Sequence, residues 1–216
     1  MDILFQDRRI VVAVKPSGVL STDEPGGMPA LLRQELHTEC IRTVHRLDAP
    51  VSGLMVFARS AYAAGDLSRQ IREGTFEKHY LAVLRGAPPE REGTLTDLLS
   101  RDKETRLTHV VTTRKKGVQE ARLRYRVLDS RAGLTLVRVQ LLTGRTHQIR
   151  VHLAWRNHPI VGDMVYGHKK PELGLDTQCL HAAALDFIHP RTGKPVHVEC
   201  ELPEYFKKAL SKLEPL

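Results

Sequence analysis

The chain of 216 residues has few cysteines, no long apolar run and none of the glycine-rich signatures that cradle nucleotides. Cys40, Cys179 and Cys200 are odd in number, far apart and outside any C-x-x-C pair. That pattern argues against a zinc ribbon and against a secreted disulfide framework. No window approaches the roughly eighteen consecutive apolar residues that a membrane span needs, so no membrane partner is expected. The opening Met1-Asp2-Ile3-Leu4-Phe5-Gln6-Asp7 lacks the basic and apolar segments of a signal peptide. The cytosol is therefore the expected compartment. There is no Walker A motif and no dinucleotide-binding fingerprint. His147, His152 and His158 do not share a helix face cleanly enough to make a zinc set. No cofactor and no metal is expected.

What the chain does have is positive charge. Lys plus Arg is 33 against 25 for Asp plus Glu, a formal net charge of +8. Such a balance favours a polyanionic partner over an uncharged one, although an inert basic surface is also compatible with it. The charge is uneven. Arg101, Lys103, Arg106, Arg114, Lys115 and Lys116 fall in one region with few apolar residues. A solvated loop explains this cluster, and so does a loop that grips phosphates.

Apolar periodicity supplies the element plan. Ile3 to Gln6 and Ile10 to Val14 are β-prone runs with polar residues between them, as in a hairpin. Lys15-Pro16-Ser17-Gly18 then breaks the strand, and residues 30 to 37 suit a short helix. Leu54 to Ala58 is an unbroken apolar run expected as a buried strand. Residues 61 to 73 form an amphipathic pattern with Ala64, Leu67, Ser68 and Ile71 on one face, Ser60 as N-cap and Gly74 just past the end. Further strands are expected over 76–85, 121–128, 134–142, 180–188 and 196–201. A helix is expected to open at Thr146, with Ile149, Leu153 and Trp155 on its apolar side, and a last one to run from Glu204 to Lys212. Many strands joined as adjacent hairpins, with few helices, predict an α+β fold with a largely antiparallel sheet.

Two stretches concentrate chemistry. In Val44-His45-Arg46-Leu47-Asp48-Ala49-Pro50-Val51-Ser52-Gly53, a carboxylate sits on a turn directly before the buried strand. Loops fixed to a rigid core carry function disproportionately, but a turn aspartate also commonly bonds nearby backbone amides. In the second stretch Arg145 precedes the Thr146 helix, and His147 and Arg150 lie in its first turn. Cations at a helix N-terminus oppose its dipole by roughly 0.3–1 kcal/mol each. An anion nearby removes that penalty, either a nucleic-acid phosphate or a protein carboxylate such as Asp48.

Together these stretches resemble the RluA-type family of pseudouridine synthases. His45-Arg46-Leu47-Asp48 resembles the family's HRLD motif, and Lys78-His79-Tyr80-Leu81-Ala82 its tyrosine-bearing strand. Residues 144 to 152 (Gly-Arg-Thr-His-Gln-Ile-Arg-Val-His) resemble its arginine motif. Lys15-Pro16-Ser17-Gly18, Leu180-His181-Ala182 and His189-Pro190-Arg191-Thr192-Gly193 follow in the family's order, so the resemblance covers nearly the whole chain. It implies a mixed, bent sheet flanked by a few helices around a central catalytic cleft. It also implies a single catalytic domain over 1–216 with no separate RNA-binding domain, since the first strand begins at Ile3. By the same resemblance Asp48 is the catalytic carboxylate, Arg150 its cationic partner and Tyr80 a residue stacking on uracil. Arg46 would fill the space of a flipped base or hold the displaced backbone, and Arg145 would bind a phosphate. Val51 departs from the family's threonine. The implied substrate is structured RNA, transfer RNA or ribosomal RNA, acted on by a monomer. Two other readings compete: a non-catalytic RNA-binding module, and an aspartate-based hydrolase or nuclease. The second would normally need more carboxylates near Asp48 to hold a metal.

Overall fold

In the computed structural model, residues 1–212 are described. The elements run β1 (Ile3–Gln6), β2 (Ile10–Lys15), α1 (Met28–Glu35), β3 (Arg42–Thr43), β4 (Ser52–Ala58), α2 (Ala61–Glu73), β5 (Glu77–Arg85), β6 (Glu92–Arg101), β7 (Thr108–Val111), β8 (Gln119–Arg131), β9 (Leu134–Leu141), α3 (Gln148–Trp155), β10 (Leu180–Ile188), β11 (Pro195–Glu199) and α4 (Glu204–Leu210). The fold is α+β, with mixed but mostly antiparallel strand pairing. Among the described residues no helix is long and apolar enough to cross a membrane. The chain divides into two compact units. The first holds Met1–His79 and His181–Glu201; the second holds Tyr80–Leu180 and residues 202–212.

In the first unit the strand order is β1-β2-β4-β10, with β3 on β4 and β11 on β10. The β1–β2 turn closes on Asp7, whose Oδ1 accepts the amides of Arg9 and Ile10. Every residue of β4 is buried, as the unbroken apolar run requires. It pairs antiparallel with β2 and parallel with β10, where His181 faces Ser52 and Ala182 faces Gly53. Helix α2 keeps the expected limits: Ser60 Oγ accepts the Ala63 amide and Gly74 closes the helix at φ +76°. Its buried face differs from expectation. Gln70 takes the place assigned to Ser68, because its amide bonds both the N–H and the C=O of Ile188 at 2.9 and 2.7 Å. A polar residue is buried at no penalty when both its ends are matched. Helix α1 starts two residues earlier than the pattern suggested. Pro29 suits its first turn, where no amide partner exists to lose. The core joins Ile10, Val12, Leu54, Val56, Leu67, Leu185 and Phe187 to Phe76, which stacks on Phe187 at 5.3 Å.

In the second unit the order is β5-β9-β8-β6-β7. The β8–β9 hairpin turns through Ala132 and Gly133, both at positive φ. Strands β6 and β7 are a correction, since the sequence reading assigned no strand between 85 and 121. The inward face of β6 includes Asp97, and its Thr-rich alternation has weak apolar contrast. Asp97 is tolerated there because Arg156 binds it with both Nη atoms, at 2.6 and 3.2 Å. Helix α3 opens at Gln148 rather than Thr146, because His147 takes φ +56° and cannot be a helical residue. It buries Gln148, Arg150 and His152 together with Ile149, Val151 and Leu153, so it shows no clean stripe. Trp155 is 60% exposed and lies off the apolar side.

Gly53 is the point where β4 has no room for a side chain. It has φ +117°, and a Cβ there would collide with the backbone of Ala182. Gly53→Ala is expected to lose at least about 2 kcal/mol of stability, through both strain and displacement of β10. Chemical denaturation checks this; a loss below about 0.5 kcal/mol would refute the close-approach argument.

Candidate active site

In the first unit the geometry is built around the turn that carries Asp48. The Asp48 carbonyl accepts the Val51 amide at 3.0 Å, closing a tight turn just before β4. Leu47, on the other side, is fastened twice to Ser21: its amide donates to Ser21 Oγ at 3.0 Å and its carbonyl accepts from it at 2.7 Å. The turn is then held from below by the Lys15–Gly18 segment. The Gly18 amide donates to the Ala49 carbonyl at 2.8 Å and Ser17 Oγ to the Pro50 carbonyl at 3.0 Å. Lys15 has no exposed surface. Its ammonium donates to the carbonyls of Pro16, Val19 and Ala49 at 2.9, 2.6 and 2.9 Å. Burial pulls the Lys15 pKa down to about 8, against the attraction of the Asp48 carboxylate, which raises it. Asp48 itself is half-buried and Arg46 is exposed.

Two histidines brace this turn. His45 Nε2 accepts the Val56 amide at 3.1 Å, which places its hydrogen on Nδ1. Burial, and then Lys78, push its pKa down to about 3, so it is neutral scaffolding. His181 faces Ser52 Oγ through Nδ1 at 2.7 Å and Cys200 Sγ through Nε2 at 3.2 Å. Burial lowers its pKa to about 4.

In the second unit the arginine motif shapes the entry to α3. Gln148 Oε1 accepts from the Arg145 amide and from Thr143 Oγ1, and its Nε2 donates to the Arg122 carbonyl. Arg145 sends its Nε to the Glu120 carbonyl at 3.0 Å. Arg150 is 4% exposed and forms a two-pronged pair with Asp163, Nε to Oδ2 at 2.7 Å and Nη2 to Oδ1 at 3.0 Å. Burial works to raise the Asp163 pKa, but Arg150 and the amides of Tyr166 and Val165 outweigh it and hold it below the usual carboxylate value. The cationic helix start thus has the anion that the dipole argument requires, supplied by a residue the sequence reading passed over. Tyr80 lies on β5 and is 4% exposed.

The sequence signature of the RNA pseudouridylate synthase family matches residues 9–155. The chain belongs to this family. An RNA pseudouridine synthase of Bacillus subtilis is 35% identical over 224 residues, covering 99% of this chain and 73% of that protein. A ribosomal large subunit pseudouridine synthase D of Nitrosomonas europaea is 35% identical over 219 residues, covering 94% of this chain and 62% of that one. The structure of human RNA pseudouridylate synthase domain containing 4 superimposes with a TM-score of 0.82 at 26% identity, over 98% of this chain and 92% of the other. The chain spans between 53% and 73% of the length of the first curated relatives it matches. These likenesses make it an isomerase, an RNA pseudouridine synthase.

The residues that the resemblance implied for the site fall in both units: Arg46 and Asp48 in the first, Tyr80, Arg145 and Arg150 in the second. Sequence reasoning missed Lys15 as the anchor of the Asp48 turn, and missed Asp163 and Tyr166 altogether. The available signal was Gly162-Asp163-Met164-Val165-Tyr166-Gly167. A Cβ on Gly162 would collide with Thr177 and one on Gly167 with Asp163, so only glycine closes that loop. Among the described residues Glu77, His79 and Asp186 bring ligand-type atoms within 4.8 Å of one another. His79 Nε2 lies 3.2 Å from a Glu77 carboxylate oxygen and 3.4 Å from one of Asp186.

Asp163→Asn removes the charge of the two-pronged partner of a buried guanidinium, and a loss of about 3–5 kcal/mol is expected in chemical denaturation. Lys15 gives a second test. Its folded pKa lies below the unfolded value near 10.4, so the native state sheds this proton first. Its contribution to stability therefore rises as pH increases from about 8 toward that value. Side-chain NMR titration should place the Lys15 midpoint near 8, and lower still in Asp48→Asn. An unchanged midpoint in that variant would show that the carboxylate charge does not reach the ammonium.

Proposed function

We propose that this chain converts uridine to pseudouridine in structured RNA, with Asp48 as the catalytic carboxylate. The observation that carries this is the Asp48 turn: a carboxylate on a rigid support, with a buried ammonium beneath it and a fully buried strand behind. The reaction detaches uracil from the ribose at nitrogen and rejoins it at carbon. The proton lost from that carbon is balanced by one gained at the freed nitrogen. It needs no redox change and no external group. What it does need is a carboxylate at the sugar–base junction, a cation and a pocket for the base.

The other roles follow from the motif positions. Arg150 is the cation of the reaction, and Tyr80 stacks on the uracil. Arg46, exposed beside Asp48, fills the space of the flipped base or holds the displaced backbone. Arg145 binds a phosphate. The exposed basic segments on either side of β7, which hold Arg101, Lys103, Arg106, Arg114, Lys115 and Lys116, grip the RNA backbone and make binding salt-dependent. Relatives named for the ribosomal large subunit support ribosomal RNA as the substrate, with transfer RNA as the alternative.

RNA carrying tritium at uracil C5 should release label with the wild-type protein and none with Asp48→Asn. Equal release from both would refute the assignment, and unchanged RNA binding without any release would favour a binding module instead. Arg150→Ala is expected to reduce turnover by at least about a hundredfold while changing RNA affinity much less.

A further inference from the structure

Tyr166 has no part in the reaction as proposed, yet it holds four groups of the second unit at once. Its ring lies 5.0 Å from the Arg150 guanidinium carbon. Its amide donates to Asp163 Oδ1 at 3.1 Å. Its hydroxyl accepts the Thr108 amide at 2.8 Å and lies 2.7 Å from His147 Nδ1. The Thr108 amide can only donate, so the hydroxyl still has its hydrogen and a lone pair for the contact with His147 Nδ1, in which either atom can donate. The residue is also packed: with Val110 it covers the cluster of Leu99, Ala121 and Val151.

We infer that Tyr166 is a positioning residue for Arg150, and that it ties the placement of this guanidinium to the seating of the basic β6–β7 turn. The inference rests on the proposed role of Arg150. Asp163 fixes the guanidinium within its plane, because two N–H groups on one edge meet two oxygens. A two-pronged pair of this kind leaves the plane free to rock about the line joining the partners. The Tyr166 ring lies within the roughly 6 Å at which an aromatic ring attracts a cation, and it opposes that motion. The ring is itself held at both ends, by its amide on Asp163 and by its hydroxyl on Thr108. Thr108 begins β7, and the residues before it carry Arg101, Lys103 and Arg106, all exposed. His147, fastened by the same hydroxyl, is the strained residue at φ +56° from which α3 starts. One side chain thus joins the exposed cations of the turn to the buried cation of the helix.

The test separates ring from hydroxyl, using the full chain and [5-³H]uracil-labelled RNA from cells lacking this gene. Single-turnover rates at saturating protein and RNA dissociation constants are measured below the melting temperature of each variant. Tyr166→Phe keeps the ring and should hold the rate within about twofold, while weakening RNA binding about threefold or more. Tyr166→Leu should slow the saturated rate about tenfold or more, since small misplacements of a catalytic group are that costly. Tyr166→Met serves if the leucine variant does not fold. Tyr166→Leu combined with Arg150→Ala should be no slower than Arg150→Ala alone. A wild-type saturated rate in Tyr166→Leu, equal rate losses in the Phe and Leu variants, or additive losses in the double variant would overturn the inference while leaving the role of Arg150 intact. A wild-type rate in Arg150→Ala would overturn both.

Discussion

An ammonium with no exposed surface must find in the protein what water would have given it. Lys15 finds three carbonyls, and one of them belongs to Ala49, the residue after Asp48. Much of the local structure follows from that one requirement. For the carbonyls to converge on Nζ, the 15–18 segment has to fold back against the 48–51 turn. Ser17 and Gly18 then add their own bonds to it. The two motifs, thirty residues apart in sequence, are therefore one object in space. Asp48 contributes the opposite charge and favours the ammonium against the desolvation that opposes it.

The second unit meets the same requirement by other means. Arg150 is buried at a helix end whose dipole repels it, and carbonyls alone would not offset that. A carboxylate does, and the planar fork of arginine suits two-pronged pairing in a way an ammonium does not. The Asp163 oxygens are satisfied in turn by Arg150 and by the amides of Val165 and Tyr166. A buried pair with every remaining lone pair used is stable; the same pair half-satisfied is a liability. This explains the tight loop between two glycines after α3. Only a loop that turns sharply can bring the Val165 and Tyr166 amides back onto the carboxylate while that carboxylate meets Arg150.

These two solutions also show what could be read from residues alone. Elements with strong apolar contrast were legible: β4 as an unbroken run, α2 with its caps, and the β8–β9 hairpin. The dipole argument at α3 correctly demanded an anion, but the residue that supplies it lies in a loop with no periodicity of its own. Strand β6 was hidden because Asp97 on its inner face is offset by Arg156, 59 positions further along the chain and outside any local pattern. Gln70 and Gln148 misled in the same way. A polar residue that satisfies its own bonds inside the fold looks, in sequence, like a surface residue. The Asp48 turn was recognisable by motif, whereas its support by Lys15 was not, since lysine before a proline reads as an exposed strand end.

Burial also divides the cations of this chain into two kinds with different work. Lys15 and Arg150 are shielded from solvent and already matched by fixed partners, so salt has little access to them. They fix the positions of the groups bonded to them. The arginines and lysines on either side of β7 are exposed, and the phosphate pairing proposed for them is an exchange of counterions that salt opposes directly. A net charge of +8 therefore does not measure affinity for RNA by itself. What counts is how much of it is exposed and on which segments. Six of the exposed cations lie on either side of a strand whose first residue is bonded to Tyr166, so the groups proposed to meet the RNA backbone flank a strand held by the same side chain that packs on the buried arginine.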